Sequence, residues 1–247
     1  MKILLNDIMQ FSNAPKELIS PSLSETVSLT SANRIIINFD KPRQINCYCI
    51  GNLSQTLGGQ LLIYLFNGNT QIGLIVPTMN QLLNNKINIM LNPRFSTPNT
   101  LSYPITINRV ELQMSGATGN IMTIGRLAMG IAINIPTSIA KEPSFNSTSE
   151  PRTTLSGQII SGVGGYNYTK VSLDSRYKIN EFIMNEIKEG YKTIGMGYPF
   201  FIDLSDESYK LPFDRLYATE LNQRQLSFES GVRKYLYSRR WEFEEKF

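Results

Sequence analysis

The densest group of side chains able to do chemistry is the acidic stretch FIDLSDESYK, which holds Asp203, Asp206 and Glu207, with Asp214 close behind. Neighbouring carboxylates can work as an acid/base pair or hold a hard cation through oxygen. This segment lacks the spacing and the glycine of an EF-hand loop, and a solvated turn between strands is the plainer reading. Gly162, Gly164 and Gly165 have the look of a phosphate loop. No Gly-Lys-Ser/Thr follows and no helix begins there, so a hairpin tip is expected. The chain contains no histidine, which removes Ser-His-Asp and Cys-His nucleophilic sites and every His-ligated zinc, iron or copper centre. Enzymes without histidine exist and use paired carboxylates or lysine.

Cys47 and Cys49 are the two cysteines. Two apart on one strand, they leave the same face, a poor arrangement for a disulfide, and they read as small buried hydrophobes. Near the C-terminus, Arg233, Lys234, Tyr235, Tyr237, Arg239, Arg240 and Trp241 mix cations with aromatics, as a single-stranded nucleic-acid platform does. Glu242, Glu244 and Glu245 offset them at once, so nucleic acid is not the expected partner. Tyr235, Tyr237, Trp241 and Phe243 alternate on a final strand, either as a core face or as a subunit-interface anchor, and they are the candidate interface residues. Asn52, Asn146 and Asn167 open N-glycosylation patterns, which carry no weight without a secretory signal.

The elements that would position these groups are strands. At 247 residues the chain can bury a full core, and two units are expected. Charged residues make up only 18%, the net charge is +4, and residues 51–110 carry Lys86, Arg94 and Arg109 as their only charges. A neutral polar surface of that kind suits packing against other subunits. The run Met1 to Leu5 is too short for a signal h-region and no long apolar run exists elsewhere, so the chain is expected to be made in a cytoplasm, stay soluble and avoid membranes.

NRIIINFDKPRQINCYCIGN, residues 33–52, reads as strand, turn at Asp40 to Arg43, and strand. QLLIYLFNGNTQIGLIV, residues 60–76, reads as a hairpin with a type I′ turn at Asn67-Gly68. ITINRVELQM, residues 105–114, alternates with a change of face midway, a sign of a bulge or twist. Together these predict an arm over residues 1–20 and an antiparallel sandwich or jelly roll over 21–136. A Ser/Thr/Pro-rich linker over 137–152 leads to a β-rich unit over 153–247. One helix is expected there, over about 175–189, capped by Asp174 or Ser175, apolar at Ile179, Phe182, Ile183 and Ile187, and closed by Gly190. The fold class is mainly β, with a smaller α+β second unit.

SANRIIINFDKPRQINCYCIGN resembles the opening of the discoidin or galactose-binding-like sandwich, a strand ending in an apolar-Asp turn with Lys-Pro before a second strand. TINRVELQMSG, IGRLAMGIAINI, the linker, the Gly-rich segment, one helix and the closing RRWEFEEKF resemble virion structural proteins of tailed bacteriophages, associated with the tail or neck. That likeness implies a non-enzymatic, ring-forming homo-oligomer in the tail, baseplate or head-to-tail region. It implies other virion proteins as partners, no cofactor and no metal, and a location in the virion after assembly in the host cytoplasm. The alternative is a carbohydrate-binding module for cell-surface attachment, whose aromatic candidates would be Tyr48, Phe95 and Tyr103.

Overall fold

The computed structural model describes residues 1–55, 59–77, 90–92, 104–136, 138–147, 152–153, 159–160, 167–175, 178–195, 197–204, 215–221, 229–230 and 236–246. The fold is mainly β, as the periodicity predicts, and every strand pairing among these residues is antiparallel. The first half supplies β1 (Lys2–Asp7), β2 (Val27–Thr30), β3 (Arg34–Ile45), β4 (Cys47–Gly51), β5 (Ser54–Gln55) and β6 (Gln60–Asn67). It continues with β7 (Thr70–Ile75), β8 (Met90–Asn92), β9 (Ile105–Ser115), β10 (Ile121–Ile124) and β11 (Arg126–Asn134). A 3-10 turn (Ile8–Phe11) and a short helix α1 (Lys16–Ile19) lie between β1 and β2. The second half supplies β12 (Ser138–Ser147), β13 (Arg152–Thr153), β14 (Ile159–Ile160), β15 (Asn167–Asp174), β16 (Ile179–Asn180) and helix α2 (Glu181–Ile194). Then come β17 (Phe200–Asp203), β18 (Arg215–Glu220), β19 (Glu229–Ser230), β20 (Leu236–Ser238) and β21 (Arg240–Glu245).

One nine-stranded sheet runs through both halves in the order β12-β15-β21-β18-β17-β1-β11-β4-β8. A four-stranded sheet, β3-β9-β6-β7, faces its β4 and β11. Between them lies the first core, built from Ile37, Phe39, Ile45, Leu61, Ile63, Leu65, Ile107, Val110 and Leu112 against Tyr48, Ile50, Leu127 and Met129. The second core lies under α2, where Met184, Ile187, Tyr191 and Ile194 meet Ile3, Leu5, Ile133, Phe200, Ile202, Trp241 and Phe243. Because Met129 and Ile133 have the same parity on β11, both cores sit on one face of the large sheet. The opposite face carries a smaller cluster of Leu4, Leu23, Cys47, Cys49, Ala128, Phe201 and Tyr217.

Several sequence expectations are corrected here. The first twenty residues are no arm. Lys2–Asp7 is a central strand flanked by β11 and β17, and Ile3, Leu4 and Leu5 are all at most 1% exposed. A continuous apolar run is what a strand buried on both faces needs. Asp40 to Arg43 is no hairpin turn. It is a bulge within β3, since Asn38 pairs with Arg109 and Arg43 with Ile107. The Asp40 carboxylate accepts from Lys41 N and from the Arg43 guanidinium, which ties the bulge locally and leaves Pro42 outside the ladder. Strands β3 and β4 therefore cross between facing sheets instead of pairing. The Asn67 hairpin is real, but only Gly68 of its two loop residues takes positive φ (63°), the pattern of a II′ turn and not of I′. Ser138–Ser147, expected as linker, pairs along β15 at the edge of the large sheet, where Pro143 is tolerated because an edge strand has a side with no ladder to supply.

The helix starts later than predicted and presents a different face. Asn180 caps it, its Oδ1 accepting from Ile183 N at 2.9 Å, and Gly195 ends it at φ 83°. Phe182 is 68% exposed, so the buried stripe is Met184, Ile187, Tyr191 and Ile194. Gly190 stands inside the helix, where a Cβ would lie 2.5 Å from the Leu5 Cβ of β1. Glycine there admits a close approach of helix to sheet.

Asp7 closes β1. Its Oδ1 accepts from Met9 N at 3.0 Å and Met129 N at 3.1 Å, and its Oδ2 from Arg126 Nη2 at 2.5 Å. Arg126 also reaches the Ser20 carbonyl at 3.3 Å. Burial pushes the Asp7 carboxyl up, and Arg126 and the two backbone donors pull it back.

Two outcomes follow for urea unfolding. Gly190→Ala lowers stability by about 1–3 kcal/mol through overpacking against Leu5, against the gain of up to about 1 kcal/mol that helix propensity alone gives; a neutral or stabilised variant would refute the close-contact account. Asp7→Ala, which strands a buried guanidinium, costs about 3–5 kcal/mol, and adding Arg126→Met restores part of that loss. A double variant that simply sums two independent losses would show that the pair is not coupled.

Candidate functional site

Of the aromatic residues singled out at the C-terminus, those described turn toward the second core. Trp241 and Phe243 are fully buried in the second core, on a strand held between β15 and β18, so neither is available to a second subunit. Tyr237 is half-buried on β20, packed against the same core, and Tyr235 lies outside the described residues. Asp203 is 4% exposed at the end of β17; Asp206, Glu207 and Asp214 lie outside the described residues, as do Gly162, Gly164 and Gly165. Cys47 and Cys49 are buried free thiols with their Sγ atoms 3.8 Å apart, and burial pushes the Cys49 thiol well up, away from reactive thiolate. Tyr48, considered as a sugar-stacking residue, points into the first core at 2% exposure; Phe95 and Tyr103 lie outside the described residues. Among the described residues no cluster could hold a metal ion, and no helix is long and apolar enough to cross a membrane.

What the fold does present is the outer face of the four-stranded sheet. Alternation along β3, β9, β6 and β7 sends Ile35, Ile37, Val110, Leu112, Ile63, Leu65 and Ile75 inward and their neighbours outward. Strand register arranges the outward side chains in rows. Arg34 lies beside Gln113 and Leu62; Ile36 beside Glu111, Tyr64 and Leu74; Asn38 beside Arg109 and Phe66. An antiparallel sheet with one solvated face normally turns polar residues outward. With Gln71, which stands across from Phe66, five of the eleven are apolar: Ile36 at 41% exposure, and Leu62, Tyr64, Phe66 and Leu74 half-buried.

The charged residues of this face are tied together at its centre. The Glu111 carboxylate accepts from Arg34 Nη1 at 3.3 Å and lies 3.3 Å from Arg109 Nε. The Arg109 guanidinium in turn sits 4.1 Å above the Phe66 ring. Glu111 is 9% exposed at its side chain, against 57% for Arg34 and 26% for Arg109. The result is a flat platform with an Arg-Glu-Arg strip between apolar and aromatic patches. At the hairpin end, Gly68 N donates to Asn108 Oδ1 at 2.9 Å and fixes the β6-β7 tip over β9. The signal that could have found this face was in the sequence as the change of polarity along ITINRVELQM, where Arg109, Glu111 and Gln113 alternate with Val110, Leu112 and Met114.

No family model matches the chain, and no curated protein matches it. Two solved structures are similar at low level. One is CBM32-1 from a family 31 glycoside hydrolase of Clostridium perfringens, with 12% identity and a TM-score of 0.34, over 48% of this chain and 84% of that one. The other is the family 32 CBM from C. perfringens NanJ in complex with galactose, with 12% identity and a TM-score of 0.35, over 52% of this chain and 98% of that one. The likeness spans about half of the chain, at a score from which neither ligand nor detailed topology transfers.

The Arg-Glu-Arg strip has its own consequence. Glu111→Gln keeps the shape and removes the charge that holds two guanidinium groups together. Glu111 is itself buried, but its partners Arg34 and Arg109 reach water, which limits the cost to about 1–3 kcal/mol in chemical denaturation. A loss above about 3 kcal/mol would mean that Glu111 belongs to the core and not to the platform.

Proposed function

We propose that the protein is a non-enzymatic docking component of a larger assembly, of the tail, baseplate or head-to-tail kind found in virions, and that the outer face of β3-β9-β6-β7 is its docking surface. One observation carries this: an outward sheet face with Ile36, Leu62, Tyr64, Phe66 and Leu74 around a strip of two arginines and one glutamate. Interfaces are enriched in Tyr, Phe and Arg and poor in unpaired charge, and their strongest anchors are aromatic or arginine. The absence of histidine and the charge-poor stretch 51–110 support binding in place of catalysis. Copies of this chain and other virion proteins are the partners, joined by heterologous contacts that close into a ring when the rotation permits.

A second reading, a carbohydrate-binding module, draws on Tyr64 alone. A half-exposed ring flanked by the Glu111 carboxylate, with Arg34 and Gln113 in the next row, offers a stacking surface beside planar hydrogen-bonding groups.

The test uses the full chain carrying Tyr64→Ser and Leu74→Lys together. Both are outward positions, so stability should change by about 1 kcal/mol or less. Light scattering should show the unmodified chain as a discrete oligomer, alone or with tail components, and the variant at least tenfold weaker in that association. Sugar-specific retention on a glycan array, lost in the variant, would transfer the face to the second reading. A unmodified chain that neither assembles nor binds sugar would sink both.

A further inference from the structure

Beneath α2 lies a buried polar group of side chains that the docking surface does not use. The Glu220 carboxylate, at the end of β18 and 2% exposed, accepts a hydrogen bond from Tyr191 Oη on the helix and another from Arg239 Nη2 between β20 and β21. Tyr191 and Arg239 are themselves 3% and 4% exposed. The Arg239 guanidinium lies 4.4 Å above the Trp241 ring, and Trp241 Nε1 donates to Ser175 Oγ at 3.1 Å. Ser175 Oγ donates to the Arg239 carbonyl at 2.9 Å, so the indole and the arginine are fixed to one frame.

We propose that Tyr191, Glu220 and Arg239 form a proton-operated latch between α2 and the large sheet, with Trp241, the chain's only tryptophan, as its built-in reporter. The latch spans the two elements that would have to separate. Tyr191 belongs to the helix, Glu220 to β18 of the sheet below it, and Arg239 to the corner where the chain enters β21. Tyr191 is the ionisable group facing Glu220 from α2, and Arg239 the charged group facing it from the β20-β21 corner. From β21 the ladder partner is Phe243, while Glu242 turns outward to Arg240 at 3.2 Å.

Burial pushes the Glu220 carboxyl up to about 7, and Arg239 pulls it only part of the way back. An opened helix returns the group to water and to the ordinary glutamate range near 4.5. The closed form therefore holds the proton more tightly. Its advantage is full below about pH 4.5, is lost progressively as pH rises to about 7, and is flat above that. Linkage sets the size: the opening constant of α2 rises on the order of a hundredfold across that window. When Glu220 is neutral, the Arg239 charge still rests on the Trp241 ring face, a contact suited to a desolvated cation.

With no histidine in the chain, few groups titrate near neutrality, so the experiment is clean. Trp241 emission of the full chain, followed from pH 5 to 9, should show one transition centred near 7. Hydrogen exchange of the α2 amides, corrected for intrinsic rate, should give opening constants that rise about a hundredfold from pH 4.5 to 7. Glu220→Gln should flatten both. Tyr191→Phe, which keeps the ring and removes one donor to the carboxylate, should move the emission midpoint upward. A transition that persists in Glu220→Gln, or none in the unmodified chain, overturns the latch. Should Glu220→Gln not fold, an unmoved midpoint in Tyr191→Phe overturns it as well.

Discussion

The structure depends on one strand at the start of the chain. β1 lies between β11 of the sandwich and β17 of the helix-bearing half, and its pairing on both sides turns two small sheets into one. Without it β11 and β17 would each expose a row of unpaired backbone groups, an invitation to wrong partners. The strand cannot simply end, since it must hand the chain to the turn at Ile8–Phe11 in the interior. Asp7 makes that passage possible. A buried carboxylate is costly unless donors surround it, and Met9 N, Met129 N and Arg126 Nη2 all point at this one. The same carboxylate thus caps the 3-10 turn, ties it to β11 and neutralises Arg126.

From that strand both cores take their positions. Ile3 and Leu5 form part of the floor beneath α2, while Ile8 and Met9, a few residues on, enter the sandwich core. Ordinary alternation sends Ile3 and Leu5 to the helix side and Leu4 to the opposite face, and the extra residue between Ile3 and Asn6 shifts the register of β1 against β11. Gly130 is the matching concession on β11, because a Cβ there would meet Asn6 O at 2.0 Å. These contacts span most of the chain: Met1 N donates to Ile135 O and Lys2 pairs with Asp203. Pairing β1 joins residues far apart in sequence, and such non-local closure is the slow part of forming a fold.

Strand periodicity was legible where one face is buried, as in residues 60–76 and 105–114, and it located the sandwich. It failed where both faces are buried. Ile3-Leu4-Leu5 shows no alternation, so the central strand passed for an arm. Asp40 to Arg43 carried turn chemistry, but local chemistry cannot tell a turn that reverses the chain from a bulge that bends it, because the difference lies in the partner strand. Gly190 looked like a helix stop; its reason for being glycine is Leu5, far away in sequence. Trp241 and Phe243 alternated as a core face or an interface does, and only their neighbours β15, β18 and α2 decide for the core.

The placement of charge separates what holds the molecule together from what it offers outside. Asp7 with Arg126, and Glu220 with Arg239, are enclosed pairs whose donors and acceptors face one another, and such pairs set geometry while leaving little for a ligand. Glu111 with Arg34 and Arg109 is built differently. It lies across the outside of a sheet, its arginines reach water, and apolar side chains stand on both sides. The enclosed pairs lie apart from the half-exposed Ile, Leu, Tyr and Phe of the outer sheet face. Contact with another surface gives those residues a physical reason to be there, because burying them regains the apolar stabilisation that the isolated chain forgoes.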